Sequence, residues 1–264
     1  MTPRHTLPLL LAACLAAGGA QAACGPFNVA MYEHGALYYR EGSNWAGIDK
    51  DIVDELMRRT GCQLNMTRDS RIRIWTMLKE GTLDMTMSGI STPERQAFAR
   101  FTPYLQSRNV LLLRNEAARS AGSLEQFIAA PQLKVAVIKG FRHGTAYDAW
   151  LERLRVQGRV HETADYATLV RLFRIGRVDA ILQLHSNLEA LRRDQQLRSQ
   201  FVARDWVAHE NVAAAMVISR LVPDAAASRL EQTLRDMRQD GTIKSILMRH
   251  TTPDAAGAML LAPR

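Results

Sequence analysis

Residues 76–89 read TMLKEGTLDMTMSG, and residues 171–184 read RLFRIGRVDAILQL. Both run helix, glycine, one residue, Leu or Val, Asp, strand. Asp84 and Asp179 hold the same place in each copy. A glycine ends a helix by taking the left-handed conformation, and the short apolar run after each Asp reads as a buried strand. Two such units in one chain predict two α/β lobes, each opening a strand end onto a cleft. Ligands of open α/β sheets sit beyond the carboxyl ends of the strands. SGISTPER (88–95) is therefore expected on one wall, and Gln183, Leu184 and His185 on the other.

Working outward, the alternation continues. FNVAMYE (27–33) and QLNMTR (63–68) read as strands. GIDKDIVDELMRRTG between them places Ile48, Ile52, Val53, Leu56 and Met57 on one helical face, with Gly61 as the stop. RIRIWTMLKEG is a second helix closed by Gly81. SLEQFIAA leads to the strand LKVAVIKG (133–140), and TAYDAWLERLRVQG and ADYATLVRLFRIG are helical. The last amphipathic helices run through AAASRLEQTLRDMRQDG and TIKSILMRH, and residues 251–264 read as a frayed tail. This pattern predicts an α/β protein of mostly parallel sheets covered on both faces. Within SGISTPER, Thr92 suits an N-cap and Pro93 the first helical position. Arg95 then falls in the first turn, where a cation opposes the helix dipole. An anion beside it would explain the placement; a solvated arginine on a capped helix is the alternative.

The first 22 residues place the protein outside the cytoplasm. MTPRHT carries Arg4, Leu7–Ala17 is almost wholly apolar, and Ala20-Gln21-Ala22 is a cleavage site of the A-x-A kind. Residues 1–22 are accordingly expected to be a signal peptide, with a periplasmic product. Leu11-Ala12-Ala13-Cys14 also resembles a lipobox, which would anchor the chain at Cys14 but leave an apolar stretch of only about seven residues. Cys24 and Cys62 remain after cleavage, each just before a strand of a βαβ unit. Right-handed crossover makes those strands parallel neighbours, so a Cys24–Cys62 disulfide is expected rather than a metal site. The net charge is +8, or +7 without Arg4, and its basic residues are scattered. No nucleic-acid module is visible. The balance suits anionic solutes or an anionic membrane face.

AGIDKDIVDELMRRTG, LKEGTLDMTMSGISTPER, FARFTPYL, LKVAVIKG, GRVDAIL and LRDMRQDGTIKSIL, in that order, resemble the bacterial extracellular solute-binding proteins of family 3, the polar amino acid receptors of ABC importers. The resemblance implies a two-lobed, hinged fold of the type II periplasmic binding proteins. Lobe one would hold 23–112 and 208–250, lobe two 113–207, with crossings near 112–114 and 207–211. It further implies that Arg95 pairs with a ligand carboxylate, with Ser88 and Gly89 beside it. Ser91 is the nearest hydroxyl, because this chain is one residue short before Thr-Pro-Glu-Arg. Tyr32, Tyr38 and Tyr39 are candidates for aromatic packing. Family members commonly carry an Asp that binds the ligand's ammonium where this chain has Leu184. The loop after residues 133–140 departs as well, with Phe141, Arg142 and His143, and Arg71 replaces a usual apolar residue. Arg71 and Arg142 either add positive charge to the cleft or lie in solvent.

Three functions follow. The first is a monomeric receptor that passes a small carboxylate-bearing solute, an amino acid-like molecule or a dicarboxylate, to an ABC permease in the inner membrane, with no cofactor or metal. The second is a periplasmic enzyme on the same scaffold, similar to the cyclohexadienyl dehydratases, for which Glu33, His143 and His185 are the available acid–base groups. The third is a sensor that signals to another protein.

Overall fold

The computed structural model describes residues 24–262; the expected signal peptide and Cys14 lie outside the described residues. The chain opens with β1 (Phe27–Met31), a hairpin of β2 (Tyr39–Glu41) and β3 (Asn44–Ala46), and helix α1 (Ile48–Thr60). β4 (Leu64–Arg68), α2 (Arg71–Glu80), β5 (Met85–Gly89), the one-turn α3 (Pro93–Gln96) and β6 (Ala99–Ser107) follow. Then come β7 (Asn109–Arg114), α4 (Asn115–Ser120), α5 (Leu124–Ala129), β8 (Val135–Ile138) and α6 (Thr145–Val156). β9 (Val160–Thr163), α7 (Tyr166–Arg174), β10 (Ala180–Leu184), α8 (Leu188–Arg193) and β11 (Phe201–Arg204) complete that part. The chain returns through β12 (Val212–Ser219) and closes with α9 (Asp224–Gln239), α10 (Thr242–His250) and α11 (Pro253–Met259).

Two sheets of five strands result, in the orders β4-β1-β5-β12-β6 and β9-β8-β10-β7-β11. They have the same plan. In each, three strands run parallel and the fourth runs antiparallel to both its neighbours. The repeated Asp has a matching job in both. The Asp84 carboxylate accepts from the backbone N–H of Asn28 at 2.8 Å, and that of Asp179 accepts from Lys134 at 2.8 Å. Each thus ties the start of one parallel strand to its neighbour, and a carboxylate accepting a backbone N–H is among the stronger hydrogen bonds. The glycines before them, Gly81 and Gly176, have φ of 76° and 69°, as helix-ending glycines require.

The expected mostly parallel sheets are mixed. The antiparallel strands β12 and β7 are those next to the crossings, where the chain leaves one lobe for the other. The first crossing also comes earlier than 112–114. β6 belongs to the first sheet and β7 to the second, so the chain passes over at Arg108. The second crossing occupies 205–211, and Arg108 and Asp205 form an ion pair between the two crossings at 3.3 Å. Residues 251–262 are ordered, not frayed: Thr252 caps α11, and Ala256 and Met259 are buried.

Ile48, Ile52, Val53 and Leu56 of α1 are fully buried, and α1 packs directly on α9 and α10. Cys24 and Cys62 are bonded, with Cα atoms 4.4 Å apart, just before the parallel neighbours β1 and β4. In the second sheet Phe127, Tyr147, Trp150, Leu151 and Leu154 form a core of their own.

Candidate functional site

β5 ends at the face between the lobes, and its last residues are wholly buried. Ser88 has φ of 52°, a left-handed conformation rarely taken by a residue with a side chain. The surroundings hold it there. Tyr104 Oη accepts from the Ser88 N–H at 3.0 Å and lies 2.8 Å from Ser88 Oγ. Tyr104 in turn donates to Asp49, a carboxylate buried in the first turn of α1. Burial pushes Asp49 up to about 6, against the lowering effect of Tyr104, Ser88 and Arg71. The Tyr104 phenol is pushed upward by burial and by Asp49.

Two arginines flank this strand end. Arg71, the first residue of α2, is 2% exposed. Its guanidinium carbon lies 3.7 Å from the Tyr32 ring centroid, and it donates to the carbonyls of Met87 (3.3 Å) and Ser88. Burial lowers its pKa. Arg95 lies across the Trp75 ring at 3.7 Å and donates to Ile90 O (2.9 Å) and to Gly140 O (3.0 Å). The second of these bonds joins lobe one to lobe two. Burial, then Arg71 and Arg142, bring Arg95 down to about 9. Among the described residues neither guanidinium has a carboxylate within ion-pair distance. The helix α3 is one turn, and Thr92 caps it as expected. Arg95 is therefore held by Trp75 and two carbonyls, not by the helix.

Lobe two contributes Phe141, which lies 6.4 Å from Tyr32 and stacks on His34 at 5.2 Å. The His143 ring is 4.9 Å from Phe141, and its Nδ1 is 3.0 Å from Asn109 Oδ1. Asn187 Oδ1 accepts from the Ala36 N–H at 3.3 Å. At that contact a Cβ on Gly35 would stand 1.8 Å from Asn187 Oδ1, so the lobes approach over bare backbone. Burial pulls both His34 and His143 down to about 3, keeping them neutral. A cavity of about 20 Å³ lies between the lobes, room for roughly one water, and Tyr32, Ser88, Ile90, Phe141 and Leu184 are among its lining. Around this seam Tyr32 Oη, His34 Nδ1, Arg71 Nε, Trp75 Nε1, His143 Nε2 and Gln183 Nε2 are buried without a protein partner. Among the described residues, most of the buried side-chain polar atoms without a partner gather at this one seam.

The structure brings together Arg71, Arg95, Tyr32, Ser88, Gly89, Phe141 and His143 at this seam. It does not bring in the rest. Ser91 is exposed and its Oγ accepts from Gln96 at 2.7 Å, because the chain has already turned outward to start α3. Tyr38 stacks on Trp45 at 4.8 Å, against the hairpin, and Tyr39 reaches His250. Arg142 is exposed, while Arg71 on the opposite lobe is not. His185 is half-buried beside Arg108 and Asp205 at the crossings. Glu33 is half-buried, 3.9 Å from Arg68. Sequence reasoning missed His34, Asp49, Trp75, Tyr104 and Asn187. Asp49 had a legible signal: it lies on the same stripe as Ile52, Val53 and Leu56, where a charge is out of place.

Similarity to known proteins bears on the fold. An ancestral amino acid-binding protein described as a precursor of cyclohexadienyl dehydratase superposes with a TM-score of 0.71 at 20% identity, over 86% of this chain and 95% of that one. An ancestral arginine-binding protein bound to arginine gives 0.71 at 17%, over 85% and 97%. The GluR0 ligand-binding core from Nostoc punctiforme, in complex with L-glutamate, gives 0.68 at 16%, over 85% and 99%. At these identities the likeness shows the fold. The membrane-bound lytic murein transglycosylase F of Alcanivorax borkumensis is 28% identical over 159 residues, 59% of this chain, which spans about one third (33%) of that relative's length. Residues 29–253 match the family described as bacterial extracellular solute-binding proteins, family 3, and the chain belongs to it.

Proposed function

We propose that this chain is a periplasmic receptor that captures a small carboxylate-bearing solute, an amino acid-like molecule or a dicarboxylate, and delivers it as a monomer to an ABC permease. One observation carries the choice of solute. Arg71, buried, and Arg95, half-buried, are cations whose hydrogen bonds go only to carbonyls, at the seam where two lobes meet. Arg159, also buried, is the contrast. It donates to the carbonyls of Leu133, Ile128, Phe127 and Ala130 and to Gln157, and so is fully used in holding lobe two. Arg71 keeps three of its five N–H donors for something else. A bidentate carboxylate is the group that matches a guanidinium best. With Leu184 in the lining, lobe two offers no carboxylate at that position to a ligand ammonium. Acids are favoured over cations. A thermal-shift panel on the processed protein tests this. Dicarboxylates or acidic amino acids should raise the melting temperature, and a shift with arginine, lysine or histidine alone would overturn the assignment.

An enzyme on the same scaffold is the second reading, and Asp49 favours it. A buried carboxyl near 6, one hydrogen bond from Tyr104 and two from the cavity-lining Ser88, is poised to move a proton near neutral pH. Product formation from prephenate or arogenate, lost in Asp49→Asn, would establish it in place of the receptor.

A further inference from the structure

We propose that Arg71 sets the charge selectivity of the cleft by standing where a cationic group of a ligand would otherwise lie; this rests on reading the seam as the ligand site. The surroundings of its guanidinium are those that recognise a free cation. One face lies on Tyr32 at 3.7 Å, Trp75 and Phe141 are 5.6 and 5.9 Å away, and the Met87 and Ser88 carbonyls accept its edge. Asp49 adds a carboxylate that acts on Arg71 electrostatically. A ring face, two carbonyls and a nearby anion make a box for a guanidinium or ammonium. The chain fills it with its own side chain.

Two consequences follow from the same placement. A cationic ligand finds the box taken and meets Arg71 and Arg95 as like charges. An anionic ligand meets the donors that Arg71 leaves unused, Nε among them. Removing Arg71 should reverse the preference, since the ring, the carbonyls and Asp49 all stay. Arg71→Met serves as the control, because its side chain keeps much of the box filled without the charge.

The experiment is a titration of wild type, Arg71→Ala and Arg71→Met with ethylguanidine and with succinate, read by melting temperature and calorimetry. Ethylguanidine should bind Arg71→Ala more tightly than wild type or Arg71→Met by on the order of tenfold, the worth of a desolvated cation–π contact. Should the Ala variant be poorly folded alone, refolding it in millimolar ethylguanidine should restore native circular dichroism. Equal or absent ethylguanidine binding in all three proteins, or refolding unaffected by it, overturns the proposal. The succinate arm separates the two readings. If wild type ignores succinate while Arg71→Ala gains ethylguanidine binding, Arg71 still fills the box but the acid-receptor reading falls. If wild type binds succinate and the variant ignores ethylguanidine, the receptor stands and this inference does not.

Discussion

Arg95 and Tyr104 are each a single side chain on which several buried groups depend. Arg95 bridges Ile90 O in one lobe and Gly140 O in the other while lying on Trp75. Truncating one partner of a buried charge pair costs on the order of 2–5 kcal/mol. Arg95→Ala should therefore nearly abolish binding of any carboxylate ligand found in the thermal-shift panel. Arg95→Lys should weaken it less, keeping the charge but not the paired donors. Unchanged calorimetric affinity in the Ala variant would remove Arg95 from the site. Tyr104 belongs to the fold as much as to the site, since its hydroxyl serves Asp49, the Ser88 N–H and Ser88 Oγ. Tyr104→Phe leaves those groups buried without it, so urea unfolding should show a loss of about 1–3 kcal/mol. A Phe variant as stable as wild type would mean that the Asp49 network contributes nothing to folding.

At the scale of elements, the helix–glycine–Asp–strand units were readable because backbone demands wrote them. Gly81 and Gly176 are the left-handed stops, and Asp84 and Asp179 tie strand starts through backbone N–H groups. The cysteine pair was readable for a similar reason, since parallel neighbours have adjacent starts. Reducing that bond releases a loop of 38 residues, which the chain-entropy model values at about 4 kcal/mol. The Cys24→Ser, Cys62→Ser protein should lose stability of that order while keeping its circular dichroism, and free thiols in the oxidised wild type would contradict the pairing. Other elements were not readable because long-range contacts decide them. Ser91 was excluded by where α3 turns, and His34 was brought in by a glycine-led turn whose Ala36 meets Asn187, 151 residues away in sequence. The early crossing at Arg108 was hidden as well, because β6 and β7 are separated by that one residue and read as a single extended run.

For the whole molecule the question is what holds two similar lobes together, and the seam gives a titratable answer. His34 of lobe one and His143 of lobe two both lie against Phe141, buried and neutral, each brought down to about 3 by burial. His34 faces Arg71 and Asn187; His143 faces His34, Arg142, Arg155 and the Asp148 carboxylate, whose oxygen accepts from its backbone N–H. Cations outnumber anions around both rings, so neither is helped to protonate in the closed form. Parting the lobes strips Phe141, Tyr166 and Asn187 from His34, which then regains water and its ordinary 6.5, whereas His143 keeps Phe141 and Asn109 of its own lobe. The parted form then binds more protons between about 3 and 6.5, so closure is fully favoured above that window and weakens as pH falls through it. At pH 5 the difference is about 2 kcal/mol for His34. Asp49 works the other way, its value being raised, but it is bonded to Tyr104 inside lobe one and stays buried when the lobes separate. The expected result is a radius of gyration, by small-angle scattering, that grows between pH 7 and 4.5 while far-ultraviolet circular dichroism stays constant. His34→Phe should keep the stack on Phe141 and remove the ring whose titration is coupled to parting, so the opening over this range should disappear. A radius that is constant over this range in wild type, or an opening that His34→Phe leaves in place, would show that the seam is held by its carbonyl–arginine bonds and not by keeping His34 neutral.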